Sequence, residues 1–419
     1  MRSVCLVILS VLFCARAFSG TVEGLTCHQR WPWDGKVEIE YALNSSAPEA
    51  VFDVKFYGKV GEGENFTLTG LEGDGASGIV LGAGRKRTIW DASGMFPDAR
   101  LSGVKVALAA RDVTSAAEYL ILDLDDYTFS YASSTNQATV SEGSDSKISE
   151  IWFRRIEPAI YYMGSFSNDW SYFNPDFSSK RTETRHEVSI TKGFYIGIFE
   201  LTEAQFARID SGTASASCLP KTRLSYGNIR GTVAGATWPT KTDRRVDPDS
   251  FLGRLRAKAG NSVIIDVPTE GQWELSCRSK GDGTFLGDMC WNNGSPYDSA
   301  DGVTDNNLDK VAWYQGNSGG VSHEVGLKEP NFMGLYDMHG NVWEWCIDWH
   351  DNYYGLTSSQ LAGLTIDPVG RKPAPNIRNV RRCGSYSNTP VECRSARRNQ
   401  ASANTTYADY GTRLVLLHP

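Results

Sequence analysis

The chain has 419 residues, 41% of them hydrophobic and 22% charged, with a formal net charge of −7. That length carries two ordinary domains with separate cores, and that composition excludes a disordered chain. The negative balance excludes a general nucleic-acid binder, because there is no surplus of Lys and Arg to neutralise phosphates.

Residues 1–17 read as a signal peptide, with Arg2 as the positive start, an apolar run from Val4 to Ala15, and Ala15-Arg16-Ala17 as a small-x-small cleavage site. The competing reading, a membrane anchor, asks a short stretch to span a bilayer. Phe13 before Cys14 is too bulky for a lipobox. No other segment is apolar enough to cross, so the mature chain is expected to be secreted, periplasmic or at the cell surface, with no membrane span. Loss of Arg2 and Arg16 takes the formal charge to −9, and Cys5 and Cys14 leave too. Seven cysteines remain: Cys27, Cys218, Cys277, Cys290, Cys346, Cys383 and Cys393. An odd number in an oxidising compartment leaves at least one thiol unpaired within the chain. Spacing does not show which pair, and no CxxC or Cys/His zinc spacing occurs.

Residues 18–112 are predicted to form an all-β sandwich. Val37, Ile39, Tyr41 and Leu43 alternate with polar neighbours, as do Phe52, Val54 and Phe56, and then Val104, Val106 and Leu108. Period-two patterning gives each strand one buried face, and the glycine-rich gaps read as turns. Trp31, Trp33 and Trp90 are expected to plug this core. No catalytic constellation is visible here, which points to an accessory role. Residues 113–150 turn rich in Ser, Thr and Asp after an apolar run from Tyr119 to Leu122, and read as a linker or an edge extension.

From residue 151 to 419 the pattern is mixed α and β, with long Gly/Asn/Asp loops. Loops of that length in a compact domain are usually functional or held by a ligand. The abundance of glycine (41) and tryptophan (12) suits a loop-rich fold pinned by large aromatics. Thr202-x-x-Gln205 and Thr269-x-x-Gln272 are capping boxes that start helices, the first with Phe206 and Ile209 inward, the second carrying Trp273 and Leu275. Trp343, Trp345 and Trp349 with Tyr336 are expected to cluster as a core plug. Gly334, Gly340 and Gly384 are expected where φ is positive or backbones approach closely.

The order of segments carries a resemblance. Tyr162-Met163-Gly164-Ser165, His186-Glu187-Val188, Gly193-Phe194-Tyr195-Ile196-Gly197 and Glu200-Leu201-Thr202 are followed by Val267 to Glu274 and Ala312-Trp313-Tyr314. Then come Pro330 to Trp345 (PNFMGLYDMHGNVWEW), Cys383-Gly384-Ser385-Tyr386, Cys393-Arg394-Ser395-Ala396 and Gly411-Thr412-Arg413-Leu414. This series resembles the formylglycine-generating, sulfatase-modifying factor family over residues 151–419. The resemblance implies a loop-rich α+β fold related to C-type lectins.

It also implies a structural calcium ion near Gly340-Asn341-Val342-Trp343-Glu344. Glu344 would be the side-chain ligand, with carbonyls around Gly340 and Val342 completing the six to eight hard oxygens that calcium takes. The alternative is that Glu344 bonds loop amides. In the oxidising members two cysteines after the Gly-Ser-Tyr motif bind copper(I), which favours two thiolates, and the target is a cysteine of a sulfatase. Here Asn388 stands at the first cysteine's position, and Cys393 matches either the second or a non-catalytic one. Cys383 and Cys393 are left as a disulfide or packed pair, as unrelated thiols, or as a metal pair. Ser385 and Cys393 are the candidate catalytic residues, and a triad of Ser385, His339 and Asp337 can be drawn only on paper. Two functions remain: a divergent oxidase acting on a protein cysteine or serine, with copper in doubt, and a non-catalytic protein that binds a protein or glycan. The second would display Ser387, Asn388, Glu392 and Arg394, within the polar stretches Ser387–Glu392 and Asn399–Asp409, on a lectin-like scaffold. Ordinary solvated surface is the alternative for those stretches.

Overall fold

The computed structural model describes residues 21–30, 34–47, 49–60, 65–96, 104–165, 183–231, 244–260, 263–287, 290–350, 362–369 and 378–417. The expected signal peptide and the pair Trp31 and Trp33 lie outside them.

The alternation at Lys36–Asn44 places Val37, Ile39, Tyr41 and Leu43 inside and their neighbours outward. That strand lies between Thr21–Gln29 and Gly84–Asp91, with Leu71–Gly73 at the far edge, all antiparallel. A second antiparallel sheet is built on Val51–Val60, which pairs with Val104–Asp112, Asn65–Thr67 and Gly78–Leu81. The two sheets share one core: Ile39, Tyr41 and Trp90 from the first meet Phe52, Val54, Phe56 and Val106 from the second. Trp90 packs edge-on against Phe96 at 6.2 Å.

The other face of Val51–Val60 turns outward from that core. Val51, Leu81 and Val113 join a different cluster, centred on Trp345, Leu252 and Leu416. Across this junction the amide of Gly193 donates to Glu49 Oε1 at 2.7 Å.

Residues 113–150 are no free linker. Tyr119–Asp123 and Phe129–Ala132 form the edge of a six-stranded sheet that continues through Glu150–Ile156, Phe194–Gly197, Val415–Leu417 and Ile264–Asp266. The apolar run of Tyr119–Asp123, with four successive buried residues, explains the pairing: such a strand needs cover on both faces. Two smaller sheets follow. One orders Ala159–Met163, His186–Ile190 and Thr365–Ile366; the other orders Asn399–Ala401, Asn379–Arg382, Trp343–Trp349 and Tyr410–Gly411.

Both expected capping boxes are present, at Glu203–Asp210 and Glu270–Arg278. Ile209 is fully buried, whereas Phe206 is half-buried and stacks on Phe251 at 4.9 Å. The second helix is buried along its whole length, Trp273 and Leu275 included. Trp343, Trp345 and Trp349 are buried, but Tyr336 does not join them: it packs on Phe199 at 5.2 Å, while Trp345 meets Tyr226 and Tyr410 edge-on.

Candidate functional site

The loop before Trp343–Trp349 is wound so that its polar atoms point inward. Gly340 has φ +74°, and a Cβ there would stand 2.2 Å from the Trp313 carbonyl oxygen. Gly334 and Gly384, at φ +77° and +80°, are likewise left-handed. Asp337 and Asn341 also take positive φ, which their short polar side chains tolerate better than most. Helix Glu270–Arg278 brings Trp273 over the loop, the segment after Tyr410–Gly411 brings Arg413, and the turn after Phe194–Gly197 brings Glu200.

Glu344 lies at the centre, fully buried. Its Oε2 accepts from Trp273 Nε1 at 2.7 Å, and Arg413 donates to Oε1 from Nη2 at 2.9 Å and from Nε at 3.1 Å. The remaining guanidinium donors go to the carbonyls of Gly197 and Tyr336. Glu344 therefore bonds an indole and a guanidinium, not loop amides. Glu200 accepts from the Val342 amide at 3.0 Å and from Asn341 Nδ2 at 2.6 Å. Asn341 Oδ1 takes the His323 amide and the Asn341 carbonyl takes the Tyr386 amide, so Asn341 holds the loop together. Asp337 Oδ2 accepts from the Gly326 amide at 2.7 Å, and its Oδ1, equally buried, has no partner.

Three buried carboxylates, Glu200, Asp337 and Glu344, thus surround one guanidinium. Lys147 adds a further positive charge, yet burial itself disfavours that ammonium. Burial pushes Glu200 well above its ordinary range, and Asp337 and Glu344 push it further. Asp337 is raised by burial as well, against the Gly326 amide and Arg413. Excess negative charge in a buried site must take up protons or a cation. The donor set suits a cation: the carboxylates Glu200 and Glu344 stand together, and the Gly340 carbonyl lies against Cys383 of the same group. Glu200 and Glu344 also form, with Cys383, a group whose ligand atoms lie within 4.8 Å of one another. Cys383 has φ +93°, and its Sγ lies 3.1 Å from the Gly340 oxygen and 3.2 Å from the Asp337 oxygen.

The triad that can be drawn on paper from Ser385, His339 and Asp337 does not assemble. His339 Nε2 accepts from the Asn292 amide at 3.1 Å, so Nδ1 carries the proton and donates to the Cys393 carbonyl at 2.7 Å. Ser385 Oγ turns elsewhere, to Asp409 Oδ2 at 2.8 Å and Asn388 Oδ1 at 2.6 Å. Asp409 ends the expected display stretch Asn399–Asp409, and its bond to Ser385 was not anticipated from the sequence. Cys393 is fully buried and burial raises its thiol strongly. The seven cysteines among the described residues are unpaired thiols, so Cys383 and Cys393 form no disulfide, and Cys393 stands in no metal-spaced group among those residues.

Of the expected display residues, Ser387 is exposed and Asn388 is half-buried. Glu392 is half-buried and paired with Arg397 at 2.8 Å. Arg394 is not on the surface at all: it is buried, with Nη2 on Glu183 at 2.9 Å and Nη1 on Ser165 Oγ at 3.1 Å. Beside Ser387 and Asp409 the surface carries Tyr407, 57% exposed and packed edge-on against Tyr410.

Comparison with known proteins adds to this geometry. The family model for the sulfatase-modifying factor enzyme 1-like domain matches residues 156–417. Formylglycine-generating enzyme of Mus musculus is 24% identical over 263 residues, 54% of this chain and 66% of the mouse protein, so the chain spans just under two thirds of that relative's length. Chaperone protein LppX of Paenibacillus barcinonensis is 38% identical over 210 residues, 42% of this chain and 69% of LppX. Among solved structures, Treponema denticola variable protein 1 aligns with 67% of this chain and 98% of its own at 20% identity, with a TM-score of 0.43. No helix among the described residues is long and apolar enough to cross a membrane.

Proposed function

The chain belongs to the sulfatase-modifying factor enzyme 1-like family, and from that premise we propose that it is a divergent, exported member that binds a protein or glycan ligand instead of oxidising a cysteine. The observation that carries this reading is the setting of Asn388. The resemblance puts Asn388 where the oxidising members carry their first copper thiol, and its Oδ1 lies 2.6 Å from Ser385 Oγ. Copper(I) favours two soft thiolates, and a neutral amide oxygen is a poor substitute for one of them. No oxidation step is therefore derived for this site.

The ligand surface in this reading is a rim of exposed Ser387 and Tyr407 with half-buried Asn388 and Asp409, which joins an aromatic ring to hydroxyl, amide and carboxylate groups. Such a mixture suits a polar ligand with an apolar face. Beneath it, a structural cation, calcium in this reading, would be held by Glu200, Glu344 and the carbonyls of Gly340 and Val342, fixing the loop from below. The two N-terminal sheets around Trp90 serve as an accessory sandwich, and residues 1–17 as the leader that directs export.

The test is copper(I) titration of the purified mature chain beside its Cys393→Ser variant, with oxygen uptake measured on a cysteine-containing peptide. The reading expects no specific copper and no uptake, together with retention on a glycan or protein array that Tyr407→Ala and Ser387→Arg abolish. One-to-one copper binding that Cys393→Ser removes, with oxygen consumed, would overturn it in favour of an oxidase.

A further inference from the structure

We infer that Cys383 converts the centre between Glu200 and Glu344 from an oxygen-only calcium site into a mixed thiolate–carboxylate site for a borderline divalent ion of the zinc type. The inference rests on the preceding proposal that a cation belongs at this centre, and goes beyond it by naming a sulfur ligand and the metal class that sulfur selects.

The donors are already gathered. One oxygen each of Glu200 and Glu344 and Cys383 Sγ lie within 4.8 Å of one another. Around a tetrahedral ion with bonds of about 2.0 Å to oxygen and about 2.3 Å to sulfur, ligand atoms stand about 3.3 to 3.6 Å apart, so closure asks for shifts on the order of an ångström. The Gly340 and Asp337 carbonyl oxygens, 3.1 and 3.2 Å from the sulfur, offer the fourth position. Each Glu200 oxygen has a single donor, which leaves a lone pair free for a metal.

Two further observations point to an ion. Asp337 Oδ1 is fully buried without a partner, and the carbonyl oxygen of the same residue lies 3.2 Å from Cys383 Sγ, so an unsatisfied acceptor belongs to a residue that touches the sulfur. Cys383 itself holds φ +93°, a conformation that glycine adopts freely and other residues adopt only under strain. That backbone carries the sulfur to the two carbonyls and to within ligand spacing of Glu200 and Glu344, where a glycine would leave oxygen donors alone.

The chemistry follows from the donor set. Calcium takes six to eight hard oxygens and gains little from sulfur, whereas zinc and cadmium favour thiolate. On binding, the thiol releases its proton to solvent and the ion's two positive charges offset the carboxylates that otherwise share one guanidinium.

The experiment uses the full mature chain, stripped with a chelator and titrated with cadmium, zinc and calcium, beside Cys383→Gly. Glycine suits that backbone, so the variant is expected to fold. The wild type should develop a one-equivalent ultraviolet thiolate-to-cadmium charge-transfer band and a zinc-dependent rise in Tm, both absent from Cys383→Gly, in which calcium becomes the stabilising ion. A wild type without the band, or a band that survives Cys383→Gly, overturns the sulfur ligand. If calcium then raises the Tm of both proteins, the oxygen-lined site of the preceding section stands alone; if no ion stabilises either protein, both readings fall.

Discussion

Arg413 and Glu344 meet with both side chains fully withdrawn from solvent, Nη2 standing 2.9 Å from Oε1. The pair joins the segment before Val415–Leu417 to strand Trp343–Trp349, and Trp273 Nε1 closes the far side of the carboxylate. Removing one member of a buried pair leaves the other charge without compensation. Arg413→Ala is expected to destabilise the protein by about 3–5 kcal/mol, measured by urea unfolding. Trp273→Phe, which removes the donor to a charged acceptor and part of a buried ring, should lose at least about 1.5–3 kcal/mol. Equal, small losses in the two variants would mean that the pair does not organise the centre.

Gly340 faces a backbone atom, so no side-chain movement relieves a substitution there. Gly340→Ala should destabilise by at least about 3 kcal/mol or prevent folding, since it combines a left-handed φ of +74° with a Cβ 2.2 Å from the Trp313 oxygen. Gly302→Ala, at a similar φ of +72° but with open space around it, should lose only about 1 kcal/mol. Thermal unfolding of the two variants separates the clash from the backbone term.

The cysteines give a direct count. Six of the seven are buried and Cys290 is half-buried. Of these seven, a thiol reagent should modify one quickly in the native protein and all seven after unfolding without reductant. Fewer than seven would show that oxidation had joined two of them.

His186 makes stability depend on acid. Burial holds its imidazole below the ordinary 6.5, against the Thr184 carbonyl and Glu274, which act in the other direction, and with Arg398, which adds to the effect. The folded protein binds this proton less readily than the unfolded chain. The stability it carries is complete above pH 6.5 and declines as pH falls below that value, by at most about 1.4 kcal/mol per pH unit. His186→Gln should flatten that part of the stability profile, measured by urea unfolding at a series of pH values from neutral to mildly acidic.

Local signals carried well from sequence to structure. The alternation of Val37, Ile39, Tyr41 and Leu43 set the buried face of its strand, and the boxes at Thr202 and Thr269 set two helix starts, because each depends on atoms a few residues apart. Another box, Ser225 with Asn228, is equally local and escaped notice, since Asn replaces the usual Glu or Gln. The centre was half legible. Glu344 stood out through its motif, but Glu200 and Arg413 lie 144 and 69 positions from it and nothing local marks them as its neighbours. Arg394 misled for the same reason. A long basic side chain in a polar stretch reads as surface, and its burial follows from Glu183, 211 positions away. The strands of 119–132 were veiled by Ser- and Asp-rich flanks, although the apolar run itself was visible.

Strand Val415–Leu417 lies between Phe194–Gly197 and Ile264–Asp266, with antiparallel partners on both sides. A chain that leaves the ribosome or a secretion channel N-terminus first cannot close this sheet until residue 417 has emerged. Until then Phe194–Gly197 and Ile264–Asp266 lack the strand that joins them, and Glu344 waits for its guanidinium. The N-terminal sheets around Trp90 draw their core from residues 25–108 alone, so they can settle early while everything after them remains open to chaperones, proteases and misassociation. The vulnerable interval in this protein's life is set by the distance along the chain between its first strand partners and its last.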